Sequence, residues 1–126
     1  MTKFYDTNSL LIKGTSIFDT GEKFAISSIT LEELEAFSDK SIVHDLLLAL
    51  NKYKHMYDIH MFTESMVKPI IEKKLLINNN TKILACAFDY NNTIDVDDTY
   101  FITNDLELKN IANLFFGDGM IESVVF

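Results

Sequence analysis

Arginine and tryptophan are missing from the 126 residues, and cysteine and proline occur once each. All 11 basic residues are therefore lysines, against 19 Asp and Glu, for a net charge of −8. That balance argues against a protein that grips nucleic acid through a broad basic face. A site that gathers carboxylates round a cation remains compatible with it, because the ion reverses the local sign. Lys52, Lys54, Lys68, Lys73 and Lys74 cluster in the sequence and offer material for one positive face. A lone cysteine excludes an internal disulfide and suits a reducing compartment. Cys86 sits in the apolar run 83–88, which reads as a small buried hydrophobe rather than a nucleophile. With four glycines and one proline there is no linker and no repeat, so the expectation is one domain over residues 1–126. No apolar run approaches the roughly 20 residues of a membrane span. Met1 leads straight into Lys3-Phe4-Tyr5-Asp6 without a charged-then-apolar leader, and the expected location is cytoplasmic.

What is present is core-forming material. Apolar residues make up 48 %, with ten Phe and five Tyr, enough for a packed globule. Residues 2–6 read as a strand ending at Asp6, followed by a helix that starts at Thr7 or Asn8 and stops at Gly14. Gly21 marks a turn, and residues 24–28 read as a second strand. Thr30 with Glu33 three residues on has capping-box spacing, and Leu31, Leu34 and Phe37 give an apolar stripe. Ser41 caps a longer helix to about Lys54, with Ile42, Val43, Leu46, Leu47, Leu50 and Tyr53 inward. Alternation over residues 58–62 predicts a third strand, and 65–74 a helix with Pro69 near its start. Asn78 to Asn80 cap a helix over about 80–90 that is apolar nearly all round and hence central. Tyr100 to Thr103 read as a fourth strand ending at Asp105. A helix through Leu108, Ile111, Ala112 and Phe115 follows, then a turn at Gly117-Asp118-Gly119 and a last strand over 121–125. Strands alternating with helices predict an α/β chain, a three-layer α/β/α sandwich round a mostly parallel sheet of about five strands.

Ligands of such sheets bind beyond the carboxyl ends of the strands, at the point where the strand order reverses. Asp6 and Asp105 each fall just past a predicted strand. Hydrolysis of a phosphodiester by metal ions needs hard oxygen ligands that hold Mg²⁺ or Mn²⁺ and leave waters on it. Those ligands must come from separate elements, and Asp6, Glu33 and Asp105 meet that need if the sheet order unites them. Thr7, Asn8, Thr103 and Asn104 are placed to steady the carboxylates. The competing reading of each acid alone is structural: an Asp between strand and helix is often only a cap.

Four segments taken together go further. Tyr5-Asp6-Thr7-Asn8-Ser9-Leu10-Leu11, Ile26 through Leu34 with its Glu33, Asn80-Thr81-Lys82-Ile83-Leu84-Ala85, and Phe101-Ile102-Thr103-Asn104-Asp105 resemble the active-site segments of PIN-domain nucleases, in order. The flavour is closer to the PIN domains of PhoH-like and phage proteins than to the toxin–antitoxin type. The resemblance implies a five-stranded parallel sheet, dependence on Mg²⁺ or Mn²⁺, and cleavage of single-stranded or structured RNA. It implies Asp6, Glu33, Asn80 and Asp105 as the catalytic set, with Asp6, Glu33 and Asp105 as metal ligands. It leaves room for a homodimer and for a protein regulator.

Residue 80 departs from the family pattern, which has Asp where this chain has Asn. An amide keeps one neutral oxygen and loses a charge. Asp89 is no substitute: nine residues on, it falls half a turn round the helix and about 13 Å along it. Asp97 and Asp98 lie before the fourth strand, away from the site, while Glu32 and Glu107 neighbour Glu33 and Asp105. The sequence therefore predicts an endoribonuclease attenuated at residue 80, or an inactive PIN-like module that binds RNA or protein. A haloacid-dehalogenase-type phosphatase would need a second Asp at residue 8, which is Asn. Lys73 and Lys74 are the candidate RNA contacts. His44, His55 and His60 show no ligand spacing, and Met56, Met61 and Met66 read as core.

Overall fold

Residues Thr2–Tyr5 form strand β1, almost entirely buried and central in the sheet. The computed structural model describes residues 1–116 and 120–122. With β2 (Phe24–Ser27), β3 (Tyr57–His60), β4 (Thr99–Ile102) and β5 (Ile121–Glu122), it forms a five-stranded sheet ordered β3-β2-β1-β4-β5. All four pairings are parallel. The strand order reverses between β1 and β4, which makes their carboxyl ends the switch point.

Among the described residues six α-helices cover the sheet: α1 (Thr7–Lys13), α2 (Ser28–Ala36), α3 (Ser41–Lys52), α4 (Val67–Glu72), α5 (Asn79–Thr93) and α6 (Leu106–Ala112). Alternate strand residues feed the two faces. Phe4, Ala25 and Phe101 pack with Leu84, Ala87 and Tyr90 of α5 on one side. Tyr5, Phe24, Ile26 and Ile102 pack with Leu10 of α1 and Val43, Leu46 and Leu50 of α3 on the other. Both faces are apolar because both are covered, as a parallel sheet requires. Each large side chain buried this way contributes about 1.5–3 kcal/mol. The three-layer architecture is the one the alternating pattern predicts. No helix among the described residues is long and apolar enough to cross a membrane.

Several local expectations need correction. Helix α2 begins at Ser28, because the Ser27 hydroxyl accepts the Ile29 N–H at 3.1 Å. Thr30 is consequently inside the helix and buried, and the Thr30/Glu33 capping box does not form. Glu33 is thereby released from that structural role. Ser41 is the first residue of α3 and not its cap, and Ile42 faces outward at 60 % exposure. Met56 and Met61 are exposed, whereas Met66 is buried against Cys86. The expected turn at 117–119 and the strand residues beyond 122 lie outside the described residues.

Cys86 is completely buried, and burial pushes its thiol up to about 11. A thiolate is the reactive form, so its native reactivity near pH 8 is low twice over. Labelling by a disulfide reagent should run at least about a hundredfold slower in the native protein than in denaturant. Equal rates would show that the α5 face opens readily.

Candidate active site

The register of the central strands sets the first contact. Tyr5 pairs with Ile102, and the ladder continues as the Asp6 N–H donates to the Ile102 carbonyl at 3.1 Å. Asp6 therefore lies opposite Thr103, whose hydroxyl donates to Asp6 Oδ2 at 2.5 Å. Asp6 Oδ1 accepts the Ser9 N–H at 2.8 Å and caps α1. Only 5 % exposed, Asp6 is held by both oxygens and still has lone pairs to offer. The Thr103 hydroxyl also accepts the Asp105 N–H at 3.1 Å, so one threonine steadies both acids. Asp105 Oδ1 accepts the Leu108 N–H at 3.1 Å and caps α6. Capping and site geometry are compatible here: the cap fixes the carboxylate's direction with one oxygen.

Glu33 reaches the same place from α2. Thr7, the first residue of α1, donates its hydroxyl toward Glu33 Oε1 at 2.6 Å and lies 3.0 Å from the Thr30 hydroxyl. Asn8 Nδ2 donates to Asn104 Oδ1 at 3.2 Å, tying the loop after β4 to α1. Asn80 is the second residue of α5 and is exposed. The cap of that helix is Asn78, whose side chain accepts the Thr81 N–H at 3.0 Å while Thr81 Oγ1 accepts the Asn78 N–H at 3.0 Å. Asn80 is thus free of capping duty.

Asp6, Thr7, Asn8, Leu11, Glu33, Asn80 and Asp105 line one pocket of about 250 Å³. Residues up to a hundred positions apart in sequence meet there, at the switch point. Asn80 and Asp105 also line a smaller cavity of about 130 Å³ with Glu107, which does not reach the main pocket's lining. Glu32 is exposed and lines neither cavity. Asp89 points away, 2.7 Å from His60 Nε2. Asp98 pairs with the N-terminal ammonium at 2.8 Å, far from this edge.

Lys73 and Lys74 are not among the lining residues. The Lys73 ammonium sits 4.9 Å from the Phe115 ring centroid, and Lys74 adopts a left-handed φ of 58°. Lys52 belongs to α3 and Lys68 to α4, on opposite faces of the sheet, so the sequence cluster of lysines divides between two layers. Sequence reading missed the Ser9 N–H, Thr30 and Leu11 as neighbours of the acids. Their only local signal was the junction of each strand with its helix.

The pocket's donors are all oxygens, carboxylate and amide, which is the chemistry of a hard divalent cation. Among the described residues, no three His, Cys, Asp or Glu side chains converge tightly enough to grasp one ion directly. Asp6, Glu33 and Asp105 therefore share one pocket without forming a closed cluster. Thr7 holds Glu33, and Thr103 with the Ser9 N–H holds Asp6. Mg²⁺ usually keeps several waters and binds through one or two carboxylates, so the residues fit a hydrated ion.

Thr103→Val should expose this architecture. It removes a donor to a buried carboxylate and an acceptor for a backbone N–H, for a stability loss of about 1–3 kcal/mol. Metal affinity should fall about tenfold or more. Calorimetry of unfolding, with and without Mn²⁺, measures both, and an unchanged metal response would detach Thr103 from the site.

Parallel strands, helices on both faces and an acid-lined pocket at the switch point define a three-layer α/β domain with an acidic site. A family model described as PIN domain matches residues 4–115. The chain belongs to the PIN-domain family, a family of nucleases. Among solved structures, the chain is similar to one of VapBC2 from Rickettsia felis bound to a DNA fragment from their promoter. The TM-score is 0.61 at 20 % identity, covering 98 % of each chain. It is also similar to a domain of a functionally unknown protein from Methanocaldococcus jannaschii, with a TM-score of 0.57 at 19 % identity. That match covers 99 % of this chain and 90 % of the other. At such identities the likeness is one of fold, and it does not choose between branches of the family. No curated protein matches the chain.

Proposed function

We propose that this chain is a metal-dependent endoribonuclease of PIN type, attenuated by the amide at residue 80. The observation that carries the reading is the single pocket lined by Asp6, Glu33, Asn80 and Asp105. Asp6 and Asp105 on either side of the switch point, with Glu33 from α2, would hold Mg²⁺ or Mn²⁺ through carboxylate oxygens and intervening waters. The bound ion would supply a nucleophilic hydroxide and neutralise the charge developing on the phosphate. Thr103 and the Ser9 N–H orient Asp6, and Thr7 orients Glu33 through one oxygen, which would leave Oε2 to orient the attacking water. Asn80 offers a neutral oxygen where an acid would strengthen the field. Lys73 and Lys74 lie outside the lining, so phosphate contacts they make fall on flanking strand rather than on the scissile group. A cytoplasmic location belongs to the same reading.

Asn80 also favours a second reading, an inactive module that binds RNA or a protein. Cleavage of a labelled single-stranded RNA in Mn²⁺, by this chain and by its Asn80→Asp form, separates the two. Metal-dependent products support the nuclease; RNA bound but uncleaved by both forms supports the module.

A further inference from the structure

We propose that the apolar cavity beside the acidic pocket receives an unpaired base of the RNA strand, with Phe37 as its stacking surface and Lys40 as a contact for the adjoining phosphate. The proposal rests on the nuclease reading and assigns part of its substrate recognition.

The cavity measures about 340 Å³, within the range of small-ligand pockets. Thr7, Leu11 and Glu33 line both it and the acidic pocket, so the two adjoin. A strand whose phosphate sits at the acids has its neighbouring nucleotide at this opening. The chemistry changes abruptly across Glu33: the acidic side is polar, while the far side is walled by Leu34, Phe37, Ile42 and Val43. Phe37, the C-cap of α2, is 54 % exposed at the cavity rim, with the Lys40 ammonium over its ring. Every base presents a π-face to such a ring, whatever the sequence.

Charge points to the same occupant. Among the described residues, Lys40 is the one cation lining either cavity. Its ammonium lies 5.2 Å from the Phe37 ring centroid and joins no ion pair among the described residues. A polyanion approaching three carboxylates needs a cation beside its path, and in this chain of net charge −8 Lys40 supplies it. An apolar slot with a cation at its rim, opening from an acidic pocket, matches a nucleotide: base inside, phosphate outside. It requires a base free of its partner, since extracting a paired one costs unstacking energy. Single-stranded RNA is therefore the substrate form.

The test uses the full chain carrying Asn80→Asp, with Mn²⁺ and a labelled single-stranded RNA. A set of RNAs each lacks one base, at successive positions round the cut. Phe37→Ala should raise KM about tenfold with kcat nearly unchanged, as expected for loss of one stacked base. Phe37→Trp should restore KM, which a merely structural role would not predict. One abasic position, adjacent to the cut, should give the same rise in KM, and its effect should vanish in Phe37→Ala. Lys40→Gln should reduce the salt dependence of binding by about 0.7 in logarithmic slope. Cleavage with KM indifferent to Phe37→Ala and to every abasic position overturns the base site and leaves the nuclease intact. No cleavage at all by the Asn80→Asp form overturns both.

Discussion

Replacing Asn80 by aspartate should raise metal-dependent RNA cleavage by at least about tenfold, roughly 1.4 kcal/mol of transition-state stabilisation. Residue 80 lines the pocket with Asp6, Glu33 and Asp105, so a charge added there acts on whatever cation the pocket holds. A fourth carboxylate binds the ion more tightly and supplies a further charged ligand at the reacting centre. Folding should hardly notice. Asn78 and Thr81 carry the cap of α5, and neither is touched. The first turn of a 15-residue helix favours an anion, while Asp105 across the pocket disfavours one. The two effects oppose, and metal-free stability should change by less than about 1 kcal/mol, with a slight decrease expected from crowding a fourth acid. Initial rates on a labelled RNA and a thermal melt without metal measure the two halves. Equal rates from both forms would remove residue 80 from the site.

The second large effect is at Asp6. Asp6→Asn preserves the shape of the side chain and removes the charge from the most buried of the pocket's acids. Cleavage should fall at least about a hundredfold, beyond the range seen for residues that only support a ligand. Metal response gives an independent readout. An ion that binds the native state and not the unfolded chain raises stability by about 2.7 kcal/mol at a hundred times its Kd. Millimolar Mn²⁺ should therefore raise the melting temperature of the parent chain by several degrees, and that gain should disappear in Asp6→Asn. A melting temperature indifferent to metal in the parent would leave the pocket without its ion.

The parts legible in the sequence were those governed by local rules. Strand-then-helix alternation gave the layers, because each element's apolar period is written in adjacent residues. Asp6 and Asp105 were visible because each follows an apolar strand directly, and Gly14 with its φ of 58° ends α1 where the pattern stopped. Contacts between distant segments were not visible. Thr30 has the local spacing of a cap, yet the helix starts earlier at Ser28 and buries it beside Thr7. Nothing in the run of lysines says that Lys73 lies over Phe115 while Lys40 stands at the cavity rim. The cavity itself is made by three helices whose packing distance is a tertiary quantity. Nor does spacing reveal that the Thr7 and Thr103 hydroxyls hold Glu33 and Asp6.

The central claim is that this pocket hydrolyses RNA with a divalent ion, and one measurement bears on it most directly. A Mn²⁺ titration of single-stranded RNA cleavage should be run on the chain, its Asn80→Asp form, and the double variant Asp6→Asn with Asn80→Asp. The account expects Mn²⁺-dependent products from the chain, at least about tenfold more from Asn80→Asp, and essentially none from the double variant. Cleavage that persists undiminished in the double variant, or that needs no metal in any form, would contradict it.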